Sequence, residues 1–137
     1  MARCESFRER IYGDFGATSG KNLLSETYLN NLKSICPPTP VGKGKNNITA
    51  MDYVTPNLFD NSFYHLLLKG EGLLNSDQEM YSSVLGLQTS ELVKKYAADS
   101  LAFFQQFSDS MVKMGNITNP DTFVNGEVRK NCRYVNT

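Results

Sequence analysis

Asp52, Thr55 and Asp60 fall within nine residues of one another, in the stretch MDYVTPNLFDNSFYHLLLKGEGLLNSDQEM, and Pro56 breaks the backbone between them. Two carboxylates and a hydroxyl in a turn, where the backbone can also direct a carbonyl inward, are hard oxygen donors that suit a cation such as calcium. The competing reading is a polar loop with its charges in water, and the triad by itself favours that reading. Asp77, in GLLNSDQ, is a second candidate. A carboxylate in the first turn of a helix is favourable with the helix dipole whether or not it has a functional partner. His65 is the single histidine of the chain. It invites a reading as a metal or axial ligand, but an exposed or half-buried structural histidine on a helix is the better-supported reading.

Helical segments must position these groups. Phe7 and Ile11 share one face over residues 4–12, which read as a helix. Residues 13–20 read as a flexible connection. Ser25 opens a helix with Leu29 and Leu32 facing inward, ending near Cys36. Pro37, Pro38 and Pro40, then Gly42, Gly44 and Asn46, predict a long surface loop. Residues 61–68 are helical in pattern, and Gly70 and Gly72 turn the chain, with room for a short β-ribbon. Ser76 with Glu79 fits a capping box for a helix carrying Met80, Val84 and Leu85. Thr89 is a second N-cap candidate, for a helix lined by Leu92, Val93 and Tyr96. Ser100 begins the longest helix, on which Phe103, Phe104, Phe107, Met111 and Met114 repeat at helical spacing until Gly115. That stripe reads as core. From Asn116 onward an irregular tail is expected. The fold class is mainly α, with at most a short β-ribbon.

The 137 residues fit one domain, and 40% of them are hydrophobic, ordinary for a globular protein. Fourteen basic residues balance fourteen acidic ones, so no charge pattern points to nucleic acid or an anionic membrane. No apolar run approaches the roughly 18 to 20 residues of a membrane span. No signal peptide is read at the N-terminus, where Arg3 and Glu5 come early. Motifs of the kinds CxxC, GxSxG, HExxH and GxxxxGK[ST] are absent. The three cysteines, Cys4, Cys36 and Cys132, are an odd number, which in a secreted-type sequence suggests a missing partner; in the cytosol all three would be reduced. Asn47 and Asn116 head two sequons, usable only on the secretory pathway.

The segments MARCESFRERIYG, TPNLFDNSFY, GLLNSDQEMY, FFQQFSDSMVKMGNI and NGEVRKNCRYVN occur in one order. In that order the chain resembles the C-terminal half of the plant secretory (class III) haem peroxidases, from about Ala2 to Asn136. The resemblance implies a partial peroxidase domain over residues 1–137, supplying the proximal side of a b-type haem pocket. The parent activity would reduce hydrogen peroxide and oxidise phenolic donors. It implies that Asp77 accepts the Nδ1–H of the proximal histidine, a hydrogen bond that fixes the imidazole tautomer and strengthens it as an axial donor. It implies a calcium site from Asp52, Thr55, Leu58 through its carbonyl, and Asp60. It also implies a Cys4–Cys36 disulfide, with the partner of Cys132 elsewhere. His65 falls at a variable helical position of the family, and Leu66 stands where many members carry Asn.

In the family a His-Thr-Ile-Gly-like motif carrying the proximal histidine precedes the position of Arg3 and Cys4, and the distal His and Arg lie in the other half. None of these is in this sequence, so the chain reads as half of an enzyme, without catalytic residues of its own. The calcium site lacks the family's Thr after the proximal histidine. The expectation is a secreted or vacuolar parent protein, or a cytosolic location if the chain is expressed as given. The alternatives are a non-catalytic helical fragment, one that pairs with a peroxidase N-terminal half, or a calcium-responsive interaction module.

Overall fold

The computed structural model describes residues 1–13, 24–38, 47–83, 85–117 and 124–137. Two compact units form, Met1–Phe104 and Gln105–Thr137.

The first unit opens with strand β1 (Ala2–Arg3), a 3-10 turn (Cys4–Ser6) and helix α1 (Arg8–Tyr12). Helix α2 (Glu26–Ile35), strand β2 (Ile48–Thr49), and helices α3 (Ser62–Leu68), α4 (Asn75–Ser82) and α5 (Leu87–Ala98) follow. Helix α6 (Ser100–Gly115) begins here and runs into the second unit. The chain is mainly α-helical, and its short ribbon is antiparallel, pairing Ala2 with Thr49 and Arg3 with Ile48. That ribbon is not at Gly70–Gly72, and residues 4–12 are not one helix; a 3-10 turn breaks the segment at its start. Phe7 and Ile11 nevertheless bury on one face as their spacing predicts.

Ser25 caps α2, its hydroxyl accepting the Tyr28 N–H. Tyr28 and Leu32 turn inward to join Cys4, Phe7, Ile11, Leu24, Cys36 and Leu73 in one apolar cluster, with Leu29 partly buried at its edge. Cys4 and Cys36 are joined by a disulfide with their Cα atoms 5.5 Å apart. Gly70, at φ 74°, ends α3. Glu71 N–H donates to Leu66 O and Gly70 N–H to Leu67 O, the Schellman arrangement that a left-handed glycine permits. Leu66 and Leu67 are buried, as are Val93 and Ala97; α3 and α4 both pack on α5.

Three N-terminal or boundary expectations need correction. Helix α4 starts at Asn75, so Ser76 lies inside it and forms no capping box with Glu79; Asp77 caps it instead, accepting Leu74 N–H at 3.2 Å. Helix α5 starts at Leu87, and the Thr89 hydroxyl bonds back to Gly86 O at 2.8 Å from within the first turn. Helix α4 ends at Ser82, leaving Leu85 exposed, and Leu92 is also exposed; Val84 lies outside the described residues. In both caps the side-chain oxygen competes locally for backbone groups, and spacing alone could not tell a cap from a first-turn residue. Of the aromatic and Met stripe on α6, Phe103 is buried, while Phe107, Met111 and Met114 are exposed. Apolar periodicity marks a face suited to burial without saying which element covers it. Most of the expected connection at 13–20 and of the Pro- and Gly-rich loop lies outside the described residues.

In the second unit, residues 126–137 are turns, bends and irregular backbone. Glu127 pairs with Arg129 at 3.0 Å, and Asn136 Nδ2 donates to Val128 O at 3.0 Å. Cys132 is exposed with a free thiol.

Candidate functional site

Asp52 shapes its own loop. One carboxylate oxygen accepts the N–H groups of Val54 and Thr55 at 2.9 and 3.0 Å. The other is 2.9 Å from the Thr55 hydroxyl, which in turn lies 3.2 Å from Asp60 Oδ1. One hydroxyl therefore sits between two carboxylates, and with a single proton it can donate to only one at a time. Asp60 Oδ1 also accepts Ser62 N–H at 2.8 Å. This backbone bond is the main reason the Asp60 carboxyl is held below the usual carboxylate range; desolvation opposes it, and the Thr55 and Ser62 side chains and His65 contribute in the lowering direction. Leu58 N–H donates to Thr55 O at 3.0 Å, closing the turn. The loop thus brings Asp52, Thr55 and Asp60 together, with Leu58 on the same turn. Among the described residues there is no cluster of three or more His, Cys, Asp or Glu side chains that could hold a metal ion. A cation here would draw on two carboxylates, a hydroxyl and backbone oxygens, a donor set of the hard type that calcium takes.

Aromatic residues that the motif reading passed over anchor both ends of this loop. The Tyr53 ring stacks on Tyr28 at 5.2 Å between centroids, and its hydroxyl donates to Glu71 at 2.8 Å. Glu71 also accepts from the Ser25 hydroxyl at 3.2 Å. Phe59 packs against Phe103 and Phe104 at 5.3 and 5.5 Å. Asn61, next to Asp60, donates to the carbonyls of Tyr96 and Ala97 at 2.9 and 3.0 Å, satisfying the end of α5. Burial pushes the Tyr28 phenol up to about 12, and Tyr53 is raised to about 12 by desolvation and by Glu71.

Asp77 is only 8% exposed and its neighbour Gln78 only 2%. Asp77 Oδ2 accepts Leu74 N–H, and Oδ1 takes no hydrogen bond from the described residues. Desolvation raises the Asp77 carboxyl, opposed by the Leu74 hydrogen bond and by the Arg10 cation. Gln78 ties the turn before α4 to the end of α3: its Oε1 accepts Gly72 N–H and its Nε2 donates to Leu67 O, both at 3.0 Å. A Cβ on Gly72 would come within 2.9 Å of both Gln78 Oε1 and Leu67 Cδ2, so any larger residue forces one of these side chains to shift. Nothing in the spacing of Arg10 or Gln78 singled them out; their roles come from contacts 62 and 11 residues away in sequence.

His65 is exposed on α3. The two sequons differ. Asn47 is partly buried and its amide donates to Ile35 O at 2.6 Å, whereas Asn116 is exposed.

A peroxidase family model matches residues 1–99. Peroxidase 11 of Arabidopsis thaliana is 64% identical over 136 residues, covering 99% of this chain and 40% of that protein. Peroxidase 9 of the same plant is 46% identical, over 99% of this chain and 38% of that protein. The lignin-forming anionic peroxidase of Nicotiana tabacum is 38% identical, over 98% of this chain and 40% of that protein. The chain spans about two fifths of the length of these relatives. It belongs to the peroxidase family, and the relatives it matches are plant peroxidases.

Proposed function

We propose that this chain forms the proximal side of a haem-dependent peroxidase that reduces hydrogen peroxide with phenolic donors, and that these 137 residues do not suffice for turnover by themselves. The observation that carries the proposal is Asp77, buried at the start of α4 with one oxygen on Leu74 N–H and the other taking no hydrogen bond from the described residues. Asp77 would accept the Nδ1–H of an axial imidazole supplied from outside these residues, fixing its tautomer and strengthening it as a ligand. Bound haem would supply the redox chemistry, in which peroxide becomes water while two phenols each give up an electron and a proton. His65, the one imidazole here, lies exposed on another helix and plays no part in this proposal.

Calcium would hold the loop through Asp52, Thr55, Asp60 and the Leu58 carbonyl. Its structural value follows from the loop's anchors: Tyr53 reaches Tyr28 and Glu71, and Phe59 reaches α6. A secreted or vacuolar setting is favoured by the Cys4–Cys36 disulfide, which persists in oxidising compartments. No helix among the described residues is long and apolar enough to cross a membrane. The partner implied by the proposal is the remaining, N-terminal part of a peroxidase domain. The triad also favours a second reading, a calcium-responsive interaction module without catalysis.

Phenolic-donor oxidation by the chain with haemin and calcium, against haemin alone, tests the insufficiency. Turnover no greater than haemin is expected. Excess turnover that disappears in His65→Ala would overturn the proposal. A calcium-dependent melting shift without any haem spectrum on adding an N-terminal peroxidase segment would favour the second reading.

A further inference from the structure

Asp77 is presented by a short turn, residues 72–75, and one residue far away in sequence grips that turn. Arg10, on α1, donates from Nη2 to Gly72 O at 3.0 Å and from Nη1 to Asn75 Oδ1. These two grips bracket Leu74, the residue whose N–H holds Asp77 Oδ2. The same turn is fixed from its other side by Gln78, through Gly72 N–H at 3.0 Å. Leu73, between the grips, is fully buried in the cluster that contains Phe7 and Ile11 of the Arg10 segment. Residues 72–75 therefore cannot shift along α1 without losing hydrogen bonds and apolar contact together.

We propose that Arg10 is a positioning residue for Asp77: it clamps residues 72–75 so that the carboxylate is held at the start of α4 in one place and orientation. The purpose of the clamp rests on the proximal reading above; the clamp itself is a property of this chain. A guanidinium suits the task because its planar fork reaches two acceptors at once, which a lysine ammonium on a flexible stem does not. The electrostatics agree with the geometry. Burial lowers the Arg10 guanidinium, and Tyr28 on α2 with Asp77 and Glu79 on α4 act in the opposite direction. The cation in turn opposes the desolvation that pushes Asp77 toward its neutral form. A neutral Asp77 would accept a hydrogen bond less strongly, so the clamp preserves both where the acceptor is and what charge it carries.

The test is a carboxyl-carbon NMR titration of Asp77 in the 137-residue chain, assigned through Asp77→Asn, for wild type, Arg10→Lys and Arg10→Gln. Arg10→Gln is expected to raise the titration midpoint and move the resonance. Arg10→Lys, which keeps the charge but loses the fork, is expected to keep a midpoint nearer wild type while still moving the resonance. A purely structural role for Arg10 would lower the melting temperature in both variants and leave the midpoint unchanged. Should Arg10→Gln fail to fold, Asn75→Ala removes one grip and leaves the cation; it is expected to move the Asp77 resonance with little change in midpoint. An Asp77 signal and midpoint unaltered in every folded variant overturns the inference. No haem enters this titration, so its failure is separate from failure of the proximal reading, which an iron-centred measurement on Asp77→Asn would show.

Discussion

Replacing Cys4 and Cys36 by alanine removes the one cross-link that ties β1 and α1 to the end of α2. Both cysteines are fully buried, and the bond closes a loop with a sequence separation of 32. The chain-entropy relation gives about 3.7 kcal/mol for a loop of that length. The Cα separation of 5.5 Å lies in the ordinary range for a disulfide, so the backbone need not move to accommodate the bond. Two small apolar side chains would fill the vacated space, so the cavity contribution is minor beside the lost constraint. With a urea dependence of about 2 kcal/mol per molar, the unfolding midpoint should fall by about 2 M. The assay is urea denaturation of wild type, each single variant and the double variant under oxidising conditions. Either single variant should produce nearly the whole loss, because breaking one end breaks the bond, and the second substitution should add little. A loss below about 1 kcal/mol, or two single losses that simply add, would refute the reasoning, since the relation requires a constraint released all at once.

Calcium at ten times its dissociation constant should stabilise the chain by about 1.4 kcal/mol. The shift should vanish in Asp52→Asn and in Asp60→Asn, read by thermal melting with and without the ion. The two aspartates should respond oppositely to pH. The Asp60 carboxyl is depressed in the folded chain, so its contribution is present above the ordinary carboxylate range and lost as pH falls through the folded value. Asp60→Asn should flatten the acid limb of the stability profile. The Asp77 carboxyl is raised, so its folded state is favoured at low pH and that advantage is lost as pH rises through the folded value. Relative to wild type, Asp77→Asn should therefore gain stability between acid and neutral pH. Gly72→Ala forces a Cβ against Gln78 and Leu67 and should cost about 1–3 kcal/mol by overpacking, checked by urea unfolding.

The mainly helical character was legible because Phe7 with Ile11, and Leu29 with Leu32, repeat at helical spacing, and Ser25 is an N-cap with the right chemistry. Helix starts at Asn75 and Leu87 were not legible, since Ser76 and Thr89 carry cap-type oxygens yet sit inside the first turn. The ribbon could not be foreseen at Ala2–Arg3 and Ile48–Thr49, two residues each joined across more than forty positions. Within the candidate site, Asp52, Thr55 and Asp60 stood out because a local turn brings them together. Arg10, Gln78, Tyr53 and Glu71 did not, because what each does depends on long-range packing: α1 against the turn before α4, and Tyr53 against Tyr28. Local chemistry leaves a signature in spacing, whereas a contact between distant elements leaves none in a single sequence.

The most direct test of the proximal reading is the reduction potential of haem iron in a complex of this chain with a peroxidase N-terminal segment that carries the axial histidine, for wild type and Asp77→Asn. A buried carboxylate bonded to the imidazole N–H makes the ligand a stronger donor and favours the oxidised iron. The potential is therefore predicted to rise in Asp77→Asn while the fold, read by circular dichroism, is retained. An equal potential in the two complexes would contradict the assignment of Asp77 as the partner of the axial histidine.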